Sequence, residues 1–182
     1  MKKQRSDYTL PTKSQIALFV KESEAITGEP DEAITNRHLE IVECVAKADS
    51  VIHPYIIHHG LFNGLNTVAG KYRTGVRGGK EHEMPPGKDT DKLLKAWIKD
   101  AERKLKEFSN SPKKIKRQVV KDLYFDFLIT EPFVDGNGRV ARIMRLVLEC
   151  KFKLPFKPVT IKTISSERSE LRKRRKKFMA RY

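Results

Sequence analysis

Residues 131–142 read Glu-Pro-Phe-Val-Asp-Gly-Asn-Gly-Arg-Val-Ala-Arg, and they are the most informative stretch of the chain. Gly136 and Gly138 flank Asn137, so the backbone can adopt positive φ values there at little cost. From Arg139 onward the apolar residues recur with helical spacing, which predicts a helix. A glycine-rich turn that leads into a helix directs free N–H groups toward one point, where the helix dipole also favours an anion.

The side chains of this stretch fit the same ligand. Arg139, Arg142 and Arg145 recur every three residues, opposite the apolar face of the predicted helix. Guanidinium groups match the geometry of phosphates, and the carboxylate of Asp135 suits Mg²⁺ shared with substrate phosphates. The stretch therefore predicts a di- or triphosphate site, and the alternative is a plain loop followed by a solvated basic helix face. The predicted phosphate-binding residues are Gly136, Asn137, Gly138, Arg139 and Arg142, with Asp135 as the metal ligand.

Residues 131–142 resemble the Fic motif, His-Pro-Phe-x-Asp/Glu-Gly-Asn-Gly-Arg-x-x-Arg, at every defined position except the first. Glu131 stands where the family has its catalytic histidine. The segment Gly70-Lys71-Tyr72-Arg73 is similar to the family segment that leads into the substrate-binding flap. The resemblance implies an all-α, Fic-like helical bundle with one small β-hairpin flap, which we place at residues 74–84.

The resemblance also implies a function. Fic proteins that act as protein adenylyltransferases transfer AMP from ATP to a protein hydroxyl, so Mg²⁺ and ATP, or another nucleoside triphosphate, are the expected ligands. An unknown target protein is expected to dock at the flap, through Arg77, Lys80 and His82. The family's histidine takes a proton from the target hydroxyl, and an ordinary glutamate is a weak base at neutral pH. We therefore expect Glu131 to leave AMP transfer strongly impaired, with His82 as the one candidate replacement base.

The alternative is a catalytically inactive pseudoenzyme, or a binding module that acts through its flap or its basic C-terminal helix. A second departure from the family supports it. Residues 23–28, Ser-Glu-Ala-Ile-Thr-Gly, resemble the family's inhibitory motif, Ser/Thr-x-x-x-Glu-Gly/Asn, whose glutamate pairs with the last motif arginine. Ser23 and Gly28 match this motif, but Thr27 stands where the glutamate belongs. Because Thr27 carries no charge, the sequence predicts that Arg142 is unpaired.

Length and composition set the wider limits. A chain of 182 residues favours one domain, which we expect over residues 13–182 after a flexible N-terminus at residues 1–12. This domain includes the N-terminal inhibitory-type helix and a C-terminal basic helix. The formal net charge is +15, and the densest basic block is at residues 172–177. Such a block binds nucleic acid or an acidic partner, or it is a solvated helix face.

Two cysteines without metal-site spacing and the lack of a long apolar run favour a cytoplasmic protein with no membrane span. Apolar periodicity and capping signals predict further helices. They are expected at residues 14–28, 36–49 and 54–65, from Asp89 or Thr90, from Ser111–Pro112 to the motif, and in the basic C-terminal segment.

Overall fold

A computed structural model describes residues 10–28, 31–48, 51, 53–74, 85–157 and 160–180. Within these residues the chain forms seven α-helices and one short 3₁₀ helix at Gly87–Asp89. The helices are α1 (Lys13–Thr27), α2 (Glu32–Lys47), α3 (Pro54–Phe62), α4 (Thr90–Glu107), α5 (Lys113–Thr130), α6 (Asn137–Lys151) and α7 (Ile161–Met179).

Local capping chemistry explains where the first two helices begin. Thr12 and Gln15 form a reciprocal capping box at the start of α1, and Gly28 ends that helix as predicted. α2 begins at Glu32, four residues before the predicted Asn36. Its N-cap is Asp31, whose carboxylate accepts the backbone N–H of Ile34 at 3.0 Å. The sequence interpretation overlooked this cap because the apolar pattern of α2 becomes regular only later.

Helix α6 is the centre of the molecule. It packs against α1, α2, α3 and α5, and twelve of its residues are buried. Its apolar positions are almost fully enclosed, with Val140, Ile143 and Val147 at 0% exposure. Burial of such side chains stabilises a fold by about 1.5–3 kcal/mol each. The N-terminus of α6, where the motif lies, is therefore fixed by four surrounding helices.

The predicted all-α helical bundle is confirmed. An isolated antiparallel bridge between Tyr72 and Phe133 is the one β-type pairing in the described part of the chain. The predicted hairpin lies almost entirely at residues 75–84, outside the described residues, and so do the flap residues Arg77, Lys80 and His82. None of the helices that the structure describes combines the length and apolar character needed to cross a bilayer.

Candidate phosphate-binding site

A cavity of about 310 Å³ opens at the N-terminus of α6. It brings together the motif residues predicted from sequence and the end of the inhibitory-type helix α1. Its lining consists of Ile26, Thr27, Leu128, Glu131, Asp135, Gly136, Asn137, Gly138, Arg139 and Arg142. The family-implied inhibitory position Thr27 and the catalytic position Glu131 therefore lie in the same cavity as the predicted phosphate-binding residues.

Gly136 and Asn137 fix the conformation of the loop that precedes α6. Gly136 is the N-cap, with a left-handed φ of 73°, and a Cβ at this position would lie 2.4 Å from the ring of Phe62. The side chain of Asn137 accepts the N–H of Phe133 at 2.9 Å and donates to its carbonyl at 2.8 Å. Asn137 was predicted to bind phosphate, but its side-chain amide is used in the two hydrogen bonds with Phe133. Its backbone N–H is the group that remains for a ligand.

No side chain of the described residues caps the N-terminus of α6. The first N–H groups of an α-helix have no partner within the helix, and here the residues that carry them, Asn137, Gly138 and Arg139, line the cavity. The positive end of the helix dipole adds to them. The uncapped start of α6 therefore has the free N–H groups that the predicted anion site requires.

His58 holds this loop in place through a hydrogen bond and a ring contact. Its Nδ1 accepts the N–H of Gly70 at 3.0 Å, so its Nε2 carries the proton and donates to the carbonyl of Asp135 at 2.9 Å. The ring stacks on Phe133 with centroids 4.0 Å apart. Burial lowers the pKa of His58, although its contacts with Asp135 act in the opposite direction. His58 is therefore a neutral structural residue.

The segment that resembles the start of the flap also clamps the motif. Arg73 donates its backbone N–H to Pro132, and Val134 donates to Lys71. The Arg73 side chain donates from Nε to the carbonyl of Glu131 at 3.0 Å and from Nη2 to that of Thr130 at 3.2 Å. These bonds satisfy carbonyls at the C-terminal end of α5. Sequence reasoning noted Arg73 as part of a family segment but did not find this role.

Glu131, at the position of the family's catalytic histidine, is held in an ion pair. It ends α5 in a left-handed conformation with φ 38° and ψ 66°. Its Oε1 accepts from Nη2 of Arg175 in α7 at 2.7 Å, and the same Nη2 donates to the carbonyl of Leu128 at 3.1 Å. The side chain of Glu131 is 23% exposed and that of Arg175 is 11% exposed. The carboxylate is therefore neutralised by a cation and already accepts a charge-assisted hydrogen bond.

Among the described residues Arg142 forms no salt bridge, in line with the prediction from sequence, but it is not free, because α1 binds it through hydrogen bonds. Its Nε donates to the hydroxyl of Ser23 at 2.7 Å, and its Nη2 donates to the carbonyl of Ser23 and the hydroxyl of Thr27, both at 3.0 Å. The inhibitory-type helix does engage the last motif arginine, through hydroxyl and carbonyl oxygens instead of a carboxylate. Burial lowers the pKa of Arg142 to about 10, so the guanidinium remains charged at neutral pH.

Arg139 is held by a carboxylate that sequence reasoning did not assign. Glu24 of α1 accepts two hydrogen bonds from Nε of Arg139, at 3.0 and 3.1 Å, and one from Nη2 at 3.0 Å. It also bonds Nδ1 of His38 at 2.8 Å. Burial raises the pKa of Glu24, but the hydrogen bonds from His38 and Arg139 outweigh it and bring the pKa to about 2. One signal was available, since Glu24 lies four residues after the buried Val20, on the apolar side of α1.

These contacts also correct the alternative of a solvated basic face on α6. Arg139 and Arg142 are only 7% and 4% exposed, because α1 covers this side of the helix. Arg145 is partly buried as well, against Glu149 and Glu167. The spacing of the three arginines was read correctly, but their environment depends on α1 and α7, which lie far away in the sequence.

Asp135 is exposed and lines the cavity beside Gly136. The described residues contain no cluster of three or more acidic, histidine or cysteine side chains that could enclose a metal ion. This donor set does not suit a metal held by protein alone. It fits Mg²⁺ bound through one carboxylate together with substrate phosphates, which is a common arrangement for that ion.

The basic block of α7 is divided between two environments. Arg174 pairs with Asp122 and Glu170, and Arg175 pairs with Glu131, so both point toward the bundle. The four remaining residues of the block, Arg172, Lys173, Lys176 and Lys177, are exposed. The sequence interpretation treated the block as uniform, whereas part of it attaches α7 to the domain.

The family model that describes the Fic/DOC family matches residues 53–148, which is more than half of the chain. The chain belongs to the Fic/DOC family. The matched range contains the motif loop, the clamp around Arg73 and the structural His58. It excludes α1 and α7, the two helices that supply Glu24, Ser23 and Arg175 to the site.

Among solved structures, the Fic/DOC chain is similar to a Fic family protein from Desulfovibrio desulfuricans G20, with a TM-score of 0.58 and 19% sequence identity. The match covers 90% of this chain and 55% of that protein, so this chain spans about half the length of its structural relative. At this identity the similarity shows the fold alone. No curated protein matches the chain.

Proposed function

We propose that this Fic/DOC domain binds the phosphates of a nucleoside triphosphate together with Mg²⁺, and that it transfers AMP to protein hydroxyls poorly or not at all. The observation that carries the proposal is Arg142. This buried, charged guanidinium lines the cavity, and among the described residues it forms no salt bridge. A buried cation is costly unless an anion compensates it. A bound phosphate would provide that charge.

The remaining phosphate contacts would come from the start of α6. Backbone N–H groups at Gly138 and Arg139 would face the phosphates, and Asp135 would hold the Mg²⁺. When bound, Mg²⁺ neutralises phosphate charge and polarises the phosphorus–oxygen bonds. A target protein would reach the site along the flap, through Arg77, Lys80 and His82, which remains a prediction because these residues lie outside the described structure.

The proposed impairment rests on Glu131. In AMP transfer a target hydroxyl forms a bond to the α-phosphorus, pyrophosphate leaves, and the hydroxyl proton must pass to a base. Glu131 occupies the position of that base but accepts a hydrogen bond from Arg175 at 2.7 Å. The Glu131 carboxylate is thus already engaged by a cation and is not free to accept a hydrogen bond from a target hydroxyl through that oxygen. Loss of a positioned base commonly reduces the rate by about 10²- to 10⁴-fold.

Calorimetric titration with a non-hydrolysable ATP analogue tests the binding. We expect saturable binding in Mg²⁺ and weaker binding in EDTA. Asp135→Asn should bind the nucleotide with the same affinity in Mg²⁺ and in EDTA, because the carboxylate of Asp135 is the proposed metal ligand. Asp91→Asn on the exposed face of α4 removes the same charge elsewhere and should behave as the natural chain. Absence of any binding heat at millimolar Mg²⁺–nucleotide would reject the proposal.

A further inference from the structure

A second cavity, of about 290 Å³, lies between α5 and α6 and shares no residue with the cavity at the motif. Its charged lining is strongly basic. Five cations, Lys114, Arg117, Lys121, Arg145 and Lys157, surround a single carboxylate, Glu149. A concave surface lined by one sign of charge concentrates ions of the opposite sign.

Three of the five cations form no hydrogen bond or salt bridge with a described residue, namely Lys114, Arg117 and Lys157. Arg117 and Lys157 lie close enough to Glu149 to favour its ionised form, but neither bonds to it. Lys121 pairs with Glu170 of α7, and Glu149 is engaged by Arg145. Since five cations share one carboxylate, which Arg145 already engages, the cavity keeps an excess of positive charge that an anionic ligand could neutralise.

The floor of the cavity is fixed in place. Arg145 is bonded to Glu149 at 3.4 Å and to Glu167 at 3.3 Å, and its guanidinium lies 5.3 Å from the ring centre of Tyr124. Glu149 itself is 4% exposed. Groups that are already ordered lose little conformational freedom when a ligand binds. Arg145 therefore presents a preorganised cation to the cavity.

The spacing of the α5 cations suggests the size of the ligand. Lys114, Arg117 and Lys121 are three and four residues apart and lie on one face of the helix. At 1.5 Å per residue they extend over about 10 Å along the axis. This length exceeds one phosphate and suits two or three linked phosphates. Lys157, on the segment after α6, closes the opposite side.

We propose that this second cavity is a binding site for a compact oligophosphate, independent of the motif site. Each charge-assisted hydrogen bond to a phosphate contributes more than a neutral one, and the guanidiniums of Arg117 and Arg145 fit phosphate oxygens. A concave site of this volume favours a small polyanion over a nucleic-acid strand, whose phosphates would continue over the neighbouring surface. The site does not depend on nucleotide binding at the motif.

The test is a titration of the ¹⁵N-labelled natural chain with inorganic triphosphate, followed by amide chemical shifts. We expect saturable shifts at residues 114–121 and 145–149, distinct from any shifts at residues 135–142. The double variant Arg117→Gln/Lys157→Gln should weaken the first set at least tenfold and leave the second unchanged. The control Lys92→Gln/Lys99→Gln removes the same charge from the exposed face of α4 and should bind as the natural chain.

Three outcomes would overturn the proposal. The first is no saturable shift at residues 114–121 with millimolar triphosphate. The second is an equal loss of affinity in both double variants, which would indicate nonspecific attraction to net charge. The third is an affinity for single-stranded oligonucleotides that exceeds that for triphosphate and rises with strand length, which would assign the groove to a nucleic-acid backbone.

Discussion

Arg142 has a charged guanidinium whose hydrogen bonds all end on neutral oxygens of Ser23 and Thr27. A phosphate oxygen is a better acceptor for a guanidinium than a hydroxyl, because the bond is charge-assisted on both sides. The contacts with Ser23 and Thr27 therefore orient Arg142 without neutralising it, and the nearby carboxylate of Glu24 is already hydrogen-bonded to Arg139. This distinguishes the chain from the arrangement that the family's inhibitory motif implies, in which a glutamate pairs with the same arginine.

Introducing that glutamate should block the site. Thr27 is exposed, so Thr27→Glu fits without repacking and places a carboxylate beside Arg142. Hydrogen bonds to charged groups contribute about 1.5–3 kcal/mol, so nucleotide affinity should fall by about 10- to 100-fold. Calorimetry measures the change, and Thr27→Gln is the control of equal size without charge. If Thr27→Glu and Thr27→Gln bind nucleotide equally, Arg142 does not contact the phosphates.

Glu24 is expected to matter for the stability of the fold. Glu24→Gln should destabilise the fold by about 3–5 kcal/mol, because it leaves Arg139 as a buried cation without a carboxylate. The free energy of unfolding in urea is the measurement. Glu40→Gln, on the exposed side of α2, should change it by less than about 0.5 kcal/mol. A loss below about 1 kcal/mol for Glu24→Gln would mean that Arg139 finds another partner or solvent.

At the scale of elements, α7 joins the site to the C-terminal part of the chain. It is attached to α5 by the pairs of Arg174 with Asp122 and of Lys121 with Glu170, and it reaches the motif through Arg175 and Glu131. The Glu131 side chain is thereby held in a helix-to-helix contact. The ion pair with Arg175 gives Glu131 a structural contact at the position where the Fic resemblance implies a catalytic histidine.

A double-mutant cycle measures this link. Arg175→Gln and Glu131→Gln each remove one charge of the pair, and the coupling energy between them should be about 1–3 kcal/mol in unfolding free energy. Each single change should also be destabilising, because it leaves the other charge partly buried. The exposed pair of Lys95 and Asp91 on α4 provides the comparison and should couple by less than about 0.5 kcal/mol. Additive effects of Arg175→Gln and Glu131→Gln would show that α7 does not stabilise the motif.

Much of the helical order could be predicted from local patterns. The end of α1 at Gly28 and the glycine turn at Gly136 follow from capping chemistry and positive φ alone. The partners within the site could not be predicted in this way. Glu24 meets Arg139 across 115 residues and Arg175 meets Glu131 across 44, and no local periodicity encodes such distances. The sequence indicated which ligand the motif could bind, but not which residues of α1 form hydrogen bonds with its arginines.

At the scale of the molecule, buried ionisable groups make stability depend on pH. Burial lowers the pKa of His38, with Arg142 and Arg139 acting in the same direction and Glu24 opposing. The pKa of His58 is also lowered, and that of Glu24 falls to about 2. In each case the unfolded chain binds protons more readily than the folded chain. The contribution of the group to the free energy of unfolding is therefore present above its pKa in the unfolded chain and is lost as the pH falls. The two histidines reduce the stability of the fold as the pH falls below about 6.5, and Glu24 reduces it as the pH falls below the usual pKa of a glutamate.

The contribution of His38 can be isolated by difference. Urea denaturation of the natural chain should show a loss of stability between pH 7.5 and 5.5. His38→Gln can still donate to Glu24 but does not titrate, so it should lose less over the same interval. Asp126 and Glu149, whose pKa values burial raises, act in the opposite direction but are present in both chains. Parallel pH profiles for the two chains would show that His38 accepts a proton as readily when folded as when unfolded.

The most direct test of the account is AMP incorporation from labelled ATP, measured by mass and radioactivity on the natural chain and on Glu131→His in parallel. We predict background incorporation by the natural chain and about 10²- to 10⁴-fold more by Glu131→His, with little change in nucleotide affinity. The buried Arg142 and the α6 N-terminus would hold the phosphates in both. Transfer by the natural chain at the rate of the variant would contradict the account, and so would a variant that binds nucleotide but remains silent.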